Sequence, residues 1–221
     1  MRRLVLFAKR PRLGKVKTRL CPPLDAPGAL TLYRGFLTDQ LALLRRCAPD
    51  YRAEVWWDGP PDGSLDGFEL DGLIQREQPA GDLGARLVRA FAETDGPTVA
   101  IGADSPTLGR AAIDRAFETL SELRPAVLMP SIDGGYVLVG LWRAEPEVFR
   151  DIPWSGPRVT DVTLERAREL GLGVEVLPHG YDVDDDAGLR RLEAELSHPE
   201  IAARAPATLR ALRLLFRADP S

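Results

Sequence analysis

Basic side chains crowd the segment that follows the first apolar run of the chain. Between positions 9 and 19 there are six lysines and arginines and no acidic residue, with Pro11 and Gly14 among them. A proline and a glycine keep such a segment out of a helix and let backbone N–H groups converge. Lysine and arginine neutralise the charges of a di- or triphosphate. The residues that we expect to contact a nucleotide here are Ala8, Lys9, Gly14, Lys17 and Arg19.

A solvated basic loop is the alternative interpretation of this segment. The sequence contains neither the G-x-G-x-x-G dinucleotide fingerprint nor the G-x-x-x-x-G-K-[ST] phosphate loop, so neither of those sites is predicted. The position of the loop favours a site, because doubly wound folds bind nucleotides after the first strand.

Acidic residues that could bind a metal occur much later in the chain. Asp104 follows the apolar run at 98–102, and a carboxylate just past a buried parallel strand lies in the crevice where ligands bind. Its alternative role is to begin a turn before Pro106. Residues 182–186 contain four aspartates, which repel one another unless solvent or a cation screens them. Mg²⁺ or Mn²⁺ with oxygen ligands would remove that repulsion, and one aspartate there caps the next helix.

Two glycine-containing segments could complete a ligand site. At Gly81-Asp82-Leu83-Gly84 a helix begins that we expect to reach about Thr94. Asp82 caps this helix, binds a base or ribose that the glycines let approach, or does both. The segment Asp133-Gly134-Gly135-Tyr136 has the composition of a hairpin turn or of an acceptor site with an aromatic ring. Trp154 and Arg158 lie in an irregular segment that could line the same acceptor side.

Strand-like and helix-like patterns alternate along the chain. Strands are predicted at 4–8, 53–57, 98–102, 126–130, 137–141 and 174–177, and helices at 25–47, 81–94, 111–123, 159–170, 189–196 and from 198 onward. This alternation predicts an α/β fold with a three-layer, doubly wound, mostly parallel central sheet. The first strand should be central and the run at 137–141 antiparallel. We expect one domain at 1–196 and a helical appendage at 197–221 packed on it.

Composition limits the possible partners and location of the protein. The 221 residues carry a net charge of −4, and the basic residues concentrate in the first twenty positions. The basic region is therefore a local site, and no nucleic-acid-binding face is expected. The two cysteines have no disulfide or zinc spacing, and no run is long enough to cross a membrane. We expect a cytoplasmic protein; the sequence leaves its oligomeric state open.

Six segments in this order resemble one known family. They are Phe7-Ala8-Lys9-x-Pro-x-x-Gly-Lys-Val-Lys-Thr-Arg-Leu, Gly81 to Gly84, Gly102 to Pro106, Asp133 to Tyr136, Pro153-Trp154-Ser155 and Asp182-Val183-Asp184. To about residue 196 the chain resembles small bacterial glycosyltransferase-like proteins, associated with arsenosugar biosynthesis, of the nucleotide-diphospho-sugar transferase superfamily with the GT-A fold.

The resemblance implies a Mg²⁺ or Mn²⁺ ion held by Asp104 and by an acidic residue of the late cluster, with Asp184 in the matching position. It also implies that Lys17 acts on phosphates. The late motif of the family reads Asp-Thr-Pro-Glu-Asp, whereas Asp184 is followed here by Asp185-Asp186-Ala187-Gly188. The choice among the aspartates at 182, 184, 185 and 186 therefore stays open.

Three functions fit these observations. The first is glycosyl transfer from a nucleotide-diphospho-sugar to a small acceptor, with the metal stabilising the departing nucleoside diphosphate. The second is nucleotidyl transfer from an NTP to a small phosphorylated acceptor with release of pyrophosphate. The third is a non-catalytic nucleotide-binding module, which the paired carboxylates and a separate acceptor side disfavour.

Overall fold

The first strand, β1 (Arg3–Ala8), is buried on both faces because its alternate side chains belong to two different cores. Leu4 and Leu6 lie in the larger core, whereas Val5 lies in the smaller one on the other face. A strand that is covered on both sides must be internal to the sheet. In the computed structural model, which describes residues 1–93, 96–154 and 156–216, β1 pairs with a parallel strand on each side.

The sheet has seven strands in the order β3-β2-β1-β4-β6-β5-β7. Only β6 runs antiparallel to its neighbours, β4 and β5, and the other pairings are parallel. The remaining strands are β2 (Arg52–Trp57), β3 (Ile74–Glu77), β4 (Thr98–Gly102), β5 (Ala126–Pro130), β6 (Tyr136–Leu141) and β7 (Val174–Val176). The predicted α/β class, the central first strand and the antiparallel run are confirmed.

Helices cover both faces and make three layers. Side chains of α1, α3, α5 and α7 enter the larger core, and those of α2 and α4 enter the smaller one. The helices are α1 (Ala26–Cys47), α2 (Leu83–Phe91), α3 (Arg110–Thr119), α4 (Val159–Glu169), α5 (Asp186–Glu195), α6 (Pro199–Ala202) and α7 (Pro206–Phe216). Thr94, where the second helix was expected to end, and Ser155 lie outside the described residues.

Three local predictions were wrong. Strand β3 was missed because it is an edge strand with exposed or half-buried side chains, and so it has no apolar pattern. The helix α3 ends at Thr119 rather than Leu123, and Leu123 is 91% exposed. The last helix is broken in two at Pro206, which cannot continue a helix but starts a new one well.

Helix α7 is anchored on α1 by a buried carboxylate. Asp39 accepts hydrogen bonds from the backbone N–H groups of Ala207 and Thr208 at 3.0 and 2.8 Å. Gly35 permits this close crossing, because a Cβ there would lie 3.1 Å from the Ala207 carbonyl oxygen. The division of the chain at residue 196 stays a prediction. Among the described residues, no helix combines the length and the apolar character needed to cross a membrane.

Candidate functional site

The predicted site segments meet at one edge of the sheet. Strands β1, β2 and β4 are parallel and end at this edge, and antiparallel β6 begins there. The late acidic segment joins them, because the Val183 N–H donates to the Asp104 carbonyl oxygen at 2.9 Å. Residues nearly eighty positions apart are thereby brought side by side, as the winding of the chain requires.

The ammonium group of Lys17 lies between two aspartates. Its Nζ is 2.6 Å from Oδ1 of Asp104 and 2.8 Å from Oδ1 of Asp184. The Lys17 side chain is only 3% exposed, whereas the two aspartates are 39% and 43% exposed. The cation is therefore enclosed, while both carboxylates still face solvent.

An unusual backbone conformation directs Lys17 inward. Its φ of 50° lies in the left-handed region, at the start of a 3₁₀ turn over Thr18–Leu20. Such a conformation costs a non-glycine residue about 1–3 kcal/mol and persists where its surroundings impose it. Here Val16 and Leu20 are buried on either side, and the ammonium lies 5.6 Å from the centre of the Phe36 ring.

The charges of this cluster are mutually stabilising. Burial alone lowers the pKa of Lys17, but Asp104 and Asp184 outweigh it and raise that pKa. Burial likewise raises the pKa of Asp184, but Lys17, Arg19 and Lys9 bring it below its ordinary value. The lysine is therefore a cation and Asp184 an anion at neutral pH.

The six basic side chains of the loop do not all point to one place. The guanidinium of Arg10 donates to the Gly59 carbonyl oxygen at 2.8 Å, and Arg12 pairs with Asp62. These two arginines hold the loop against the segment after β2. Lys9 and Arg19 instead line the cavity together with Lys17.

Parts of the loop backbone are already engaged. The Lys9 N–H donates to the Tyr33 hydroxyl at 2.9 Å, and the Arg10 N–H donates to Asp58 at 2.6 Å. Ala8 is buried, and Gly14 has a φ of 68° at an exposed turn. Neither Ala8 nor Gly14 lines the cavity.

The structure separates the four late aspartates by role. Asp185 accepts from the Gly188 N–H and caps α5, and Asp186 pairs with Arg190. Asp184 contacts Lys17. Asp182 accepts a hydrogen bond from Ser131 at 2.7 Å, and burial, together with Asp133 and Asp184, raises its pKa. Asp182 and Asp184 are therefore the two that face the cavity.

The segment at Gly81 to Gly84 begins helix α2 beside the cavity, and its nucleotide-binding role stays a prediction. Asp82 accepts from the Ala85 N–H at 2.8 Å and caps α2, and Gly81 has a φ of 116°. A Cβ on Gly84 would lie 2.7 Å from Nε1 of Trp154. In this segment only Leu83 lines the cavity.

The predicted acceptor segments form the opposite wall. The turn at 133–135 fits closely against residue 157, since a Cβ on Gly134 would lie 1.8 Å from the Pro157 carbonyl oxygen. The rings of Tyr136 and Trp154 meet edge to face with centroids 6.2 Å apart. Arg158 is exposed at the start of α4 and does not line the cavity.

These walls enclose a cavity of about 720 Å³, which is a typical size for a small-molecule site. Its charged lining comes from separate segments: the basic loop supplies Lys9, Lys17 and Arg19, the turn before β6 supplies Asp133, and the late acidic segment supplies Asp182 and Asp184, of which Asp184 contacts Lys17. The lining residues are Lys9, Lys17, Thr18, Arg19, Leu83, Asp133, Gly135, Tyr136, Trp154, Gly156, Pro157, Val159, Asp182 and Asp184.

Several supporting residues were not predicted from the sequence. The amide of Gln78 donates to the carbonyl oxygens of Ala8 and Trp56 at 3.1 and 2.7 Å, which ties the ends of β1 and β2 together. Tyr33 fixes the start of the basic loop, and Ser131 positions Asp182. No sequence pattern identifies these contacts, because each depends on a distant partner.

The donor set fits a hard divalent cation that takes part of its coordination from a ligand. Asp104 and Asp184 present partly exposed carboxylate oxygens, the preferred ligands of Mg²⁺, on either side of the Lys17 ammonium. Within the described part of the chain, no three His, Cys, Asp or Glu side chains gather into a metal site. Phosphate oxygens and water would have to supply the remaining ligands.

Comparisons with known proteins agree with this geometry. A family profile described as an uncharacterized protein conserved in bacteria (DUF2064) matches residues 43–156, just over half of the chain. No curated protein matches the chain.

Solved structures share the whole fold. One from Desulfovibrio desulfuricans G20, described provisionally as a nucleotide-diphospho-sugar transferase, is 29% identical, with 98% of this chain and 96% of that chain covered and a TM-score of 0.83. A cytidylyltransferase from Leptospira borgpetersenii is 13% identical, with 94% and 95% covered and a TM-score of 0.56. A 4-diphosphocytidyl-2C-methyl-D-erythritol synthase from Anaerococcus prevotii is 10% identical, with 89% and 99% covered and a TM-score of 0.54. The last two show likeness of fold alone.

Proposed function

The chain belongs to the DUF2064 family of bacterial proteins, and from that premise we propose that it transfers a glycosyl group from a nucleotide-diphospho-sugar to a small acceptor. It is a transferase-like enzyme of the nucleotide-diphospho-sugar transferase superfamily, as the likeness to the Desulfovibrio protein supports. The association with arsenosugar biosynthesis stays a prediction.

The observation that carries this proposal is that one part of the cavity lining carries three cations, with Asp184 against Lys17, and another part carries aromatic rings. Lys9, Lys17 and Arg19 line one wall, and cations of this kind neutralise a diphosphate. The other wall pairs the Trp154 and Tyr136 rings with carboxylates. Aromatic faces pack against the apolar surface of a sugar ring, and carboxylates accept hydrogen bonds from its hydroxyls. The diphosphate would therefore lie on the basic wall and the sugar on the other.

The same division disfavours a phosphorylated acceptor. An acceptor phosphate on the aromatic wall would face the carboxylates of Asp133 and Asp182, and like charges at short range are unfavourable. A neutral hydroxyl acceptor avoids that repulsion. Nucleotidyl transfer remains the second candidate, because Lys17 and Arg19 could also neutralise a departing pyrophosphate.

We assign Asp104 and Asp184 as the residues that would hold Mg²⁺ or Mn²⁺. When bound, this cation would offset the charge that develops on the departing nucleoside diphosphate. Lys17 and Arg19 share that task from the protein side. Trp154 and Tyr136 orient the sugar so that an acceptor hydroxyl oxygen bonds to the anomeric carbon as the bond from that carbon to the diphosphate breaks, and the hydroxyl proton passes to solvent.

A thermal-shift panel of NTPs, nucleoside diphosphates and nucleotide-sugars, each with and without Mn²⁺, tests the proposal. Stabilisation follows RT ln(1 + [L]/Kd), so a ligand at 100 times its Kd adds about 2.7 kcal/mol. We expect one nucleotide-sugar with Mn²⁺ to stabilise the protein well beyond its parent NTP. If an NTP stabilises it more, and pyrophosphate appears when a sugar phosphate is added, nucleotidyl transfer is the correct assignment.

A further inference from the structure

The Lys17 ammonium holds the place between Asp104 and Asp184 that a divalent cation would need. It contacts one oxygen of each carboxylate, at 2.6 and 2.8 Å. A cation that binds both carboxylates must approach this ammonium closely, and like charges at short range oppose each other. The lysine and the cation therefore compete for the same two carboxylates.

The backbone conformation and the burial of Lys17 place its ammonium beside the two aspartates. Lys17 has left-handed φ, and its stem is buried. The two aspartate-bearing segments are joined by the hydrogen bond from the Val183 N–H to the Asp104 carbonyl oxygen. The cluster is thus defined before any ligand arrives.

Lys17 also lines the cavity wall that carries Lys9 and Arg19. An ammonium has three donors, so it can turn from a carboxylate toward a phosphate oxygen without leaving the wall. A phosphate that arrives there draws the ammonium away from the carboxylates and opens the space between them.

We infer that Lys17 is a resident counter-ion of the Asp104–Asp184 pair, which keeps the pair closed to divalent cations until a diphosphate arrives. This rests on the proposed function only for the identity of the phosphate ligand. Lys17 turns from the carboxylates to the diphosphate as the cation loads. Because coupling between two sites is reciprocal, each ligand then raises the affinity for the other.

Titration with Mn²⁺ alone, followed by electron paramagnetic resonance of the free ion, tests this inference. Lys17→Met keeps the length of the side chain but removes its charge. We expect it to raise Mn²⁺ affinity by about tenfold or more, because two carboxylates are left without their cation. Lys15→Met is the matched control: this exposed lysine lies in the same loop and outside the cavity, and its loss should leave Mn²⁺ affinity unchanged. Equal or weaker Mn²⁺ binding by a folded Lys17→Met protein would overturn the inference.

Wild-type protein gives a second measurement that does not depend on the variant folding. Heteronuclear NMR can follow the ammonium signal of Lys17 during addition of Mg²⁺, and then of inorganic pyrophosphate with Mg²⁺. We expect millimolar Mg²⁺ alone to leave the signal in place and the two together to shift it. A shift with micromolar Mg²⁺ alone, or none under saturating Mg²⁺ and pyrophosphate, would refute the exchange.

The two proposals fail separately. Mn²⁺ binding by Lys17→Met requires no donor and no turnover. If the lysine effect is found but no nucleotide-sugar is used, the proposed reaction alone is wrong. If sugar transfer is found but Lys17→Met binds Mn²⁺ no better than wild type, the counter-ion role alone is wrong.

Discussion

Two ionic clusters lie at opposite ends of β1, and they differ in what surrounds them. At its start, the side chains of Arg3 and Glu54 are both 0% exposed and pair at 2.9 and 3.0 Å. Beyond its end, the Lys17 ammonium is enclosed, whereas the two aspartates that it contacts are 39% and 43% exposed and Asp184 lines the cavity. A buried charge needs its partners to be complete within the protein. Carboxylates that are partly exposed to solvent can still bind a ligand.

The fully buried Arg3–Glu54 pair, the closed cluster, joins three elements of the fold. Arg3 of β1 pairs with Glu54 of β2 through both carboxylate oxygens and donates to the Ala90 carbonyl oxygen of α2. The Trp56 indole also donates to Glu54, at 3.0 Å. Burial would raise the pKa of Glu54, but these donors lower it below its ordinary value. The pair is structural, because both side chains are fully buried and each is paired within the protein.

The largest predicted effect comes from breaking the closed cluster. Glu54→Gln would leave the Arg3 guanidinium buried without an anion, which typically costs about 3–5 kcal/mol of unfolding free energy. Urea denaturation measures this loss. Glu69→Gln, which breaks the exposed pair with Arg45, is the control and should cost at most about 1 kcal/mol. A loss at position 54 no greater than that of the control would contradict the structural role.

Lys17, Asp104 and Asp184 form the open cluster. Removal of one of its carboxylates should reduce function and leave stability nearly unchanged. Asp104→Asn should reduce transfer by about 10²–10³, as loss of one transition-state charge contact does, and end the coupling between Mn²⁺ and nucleotide. Unfolding free energy should change by less than about 1 kcal/mol, because Asp104 is partly solvated. Asp186→Asn, at the exposed pair with Arg190, is the matched control. If Asp104→Asn keeps the full coupling between Mn²⁺ and nucleotide, Asp104 is a turn residue and not a metal ligand.

Helix α2 links the two clusters and offers an intermediate test. Ala90 near its end accepts from Arg3, and Gly84 near its start touches Trp154. Gly84→Ala should displace Trp154 from the cavity lining and raise the KM of the nucleotide-sugar donor, with a stability loss of about 1–3 kcal/mol from overpacking. Steady-state kinetics with varied donor, beside Arg89→Ala on the exposed side of α2, would detect it. An unchanged donor KM would show that Trp154 does not orient the sugar.

The smallest effect is a difference in the sign of pH dependence. The pKa of Glu54 is lowered by folding, so its stabilisation is present above its unfolded pKa of about 4.3 and is lost as pH falls through the folded value. The pKa of Asp182 is raised, so its contribution is full below its unfolded pKa of about 3.9 and is lost as pH rises through the folded value. The free energy of unfolding can be measured for wild type, Glu54→Gln and Asp182→Asn between about pH 2.5 and 6. The difference between wild type and Glu54→Gln should rise with pH, whereas the difference between wild type and Asp182→Asn should fall. Slopes of the same sign would contradict this comparison.

The sequence predicts the open cluster better than the closed one. Asp104 could be assigned because a carboxylate past a parallel strand has a known location, and that strand has a clear apolar pattern. Arg3 and Glu54 carry no such signal, since a charged residue in a strand pattern is ordinarily taken to face solvent.

The limits of prediction within the open cluster are also physical. The basic composition of the loop indicates anion binding. It does not show that the Arg10 and Arg12 side chains contact the segment after β2. The repulsion expected among the aspartates at 182–186 also left out a cation within the protein, whereas the Lys17 ammonium contacts Asp184. Directions of side chains depend on tertiary contacts that a linear pattern does not contain.

The contact between Lys17 and Asp184 spans 167 positions of the sequence. Such a contact closes a long loop, and the entropy of that closure must be overcome before the contact stabilises the fold. During synthesis on the ribosome, Lys17 is made early, and Asp184 is added only when most of the chain has been made. A chain that stops before the late acidic segment would therefore leave the Lys17 ammonium with Asp104 alone, and the cluster could not form.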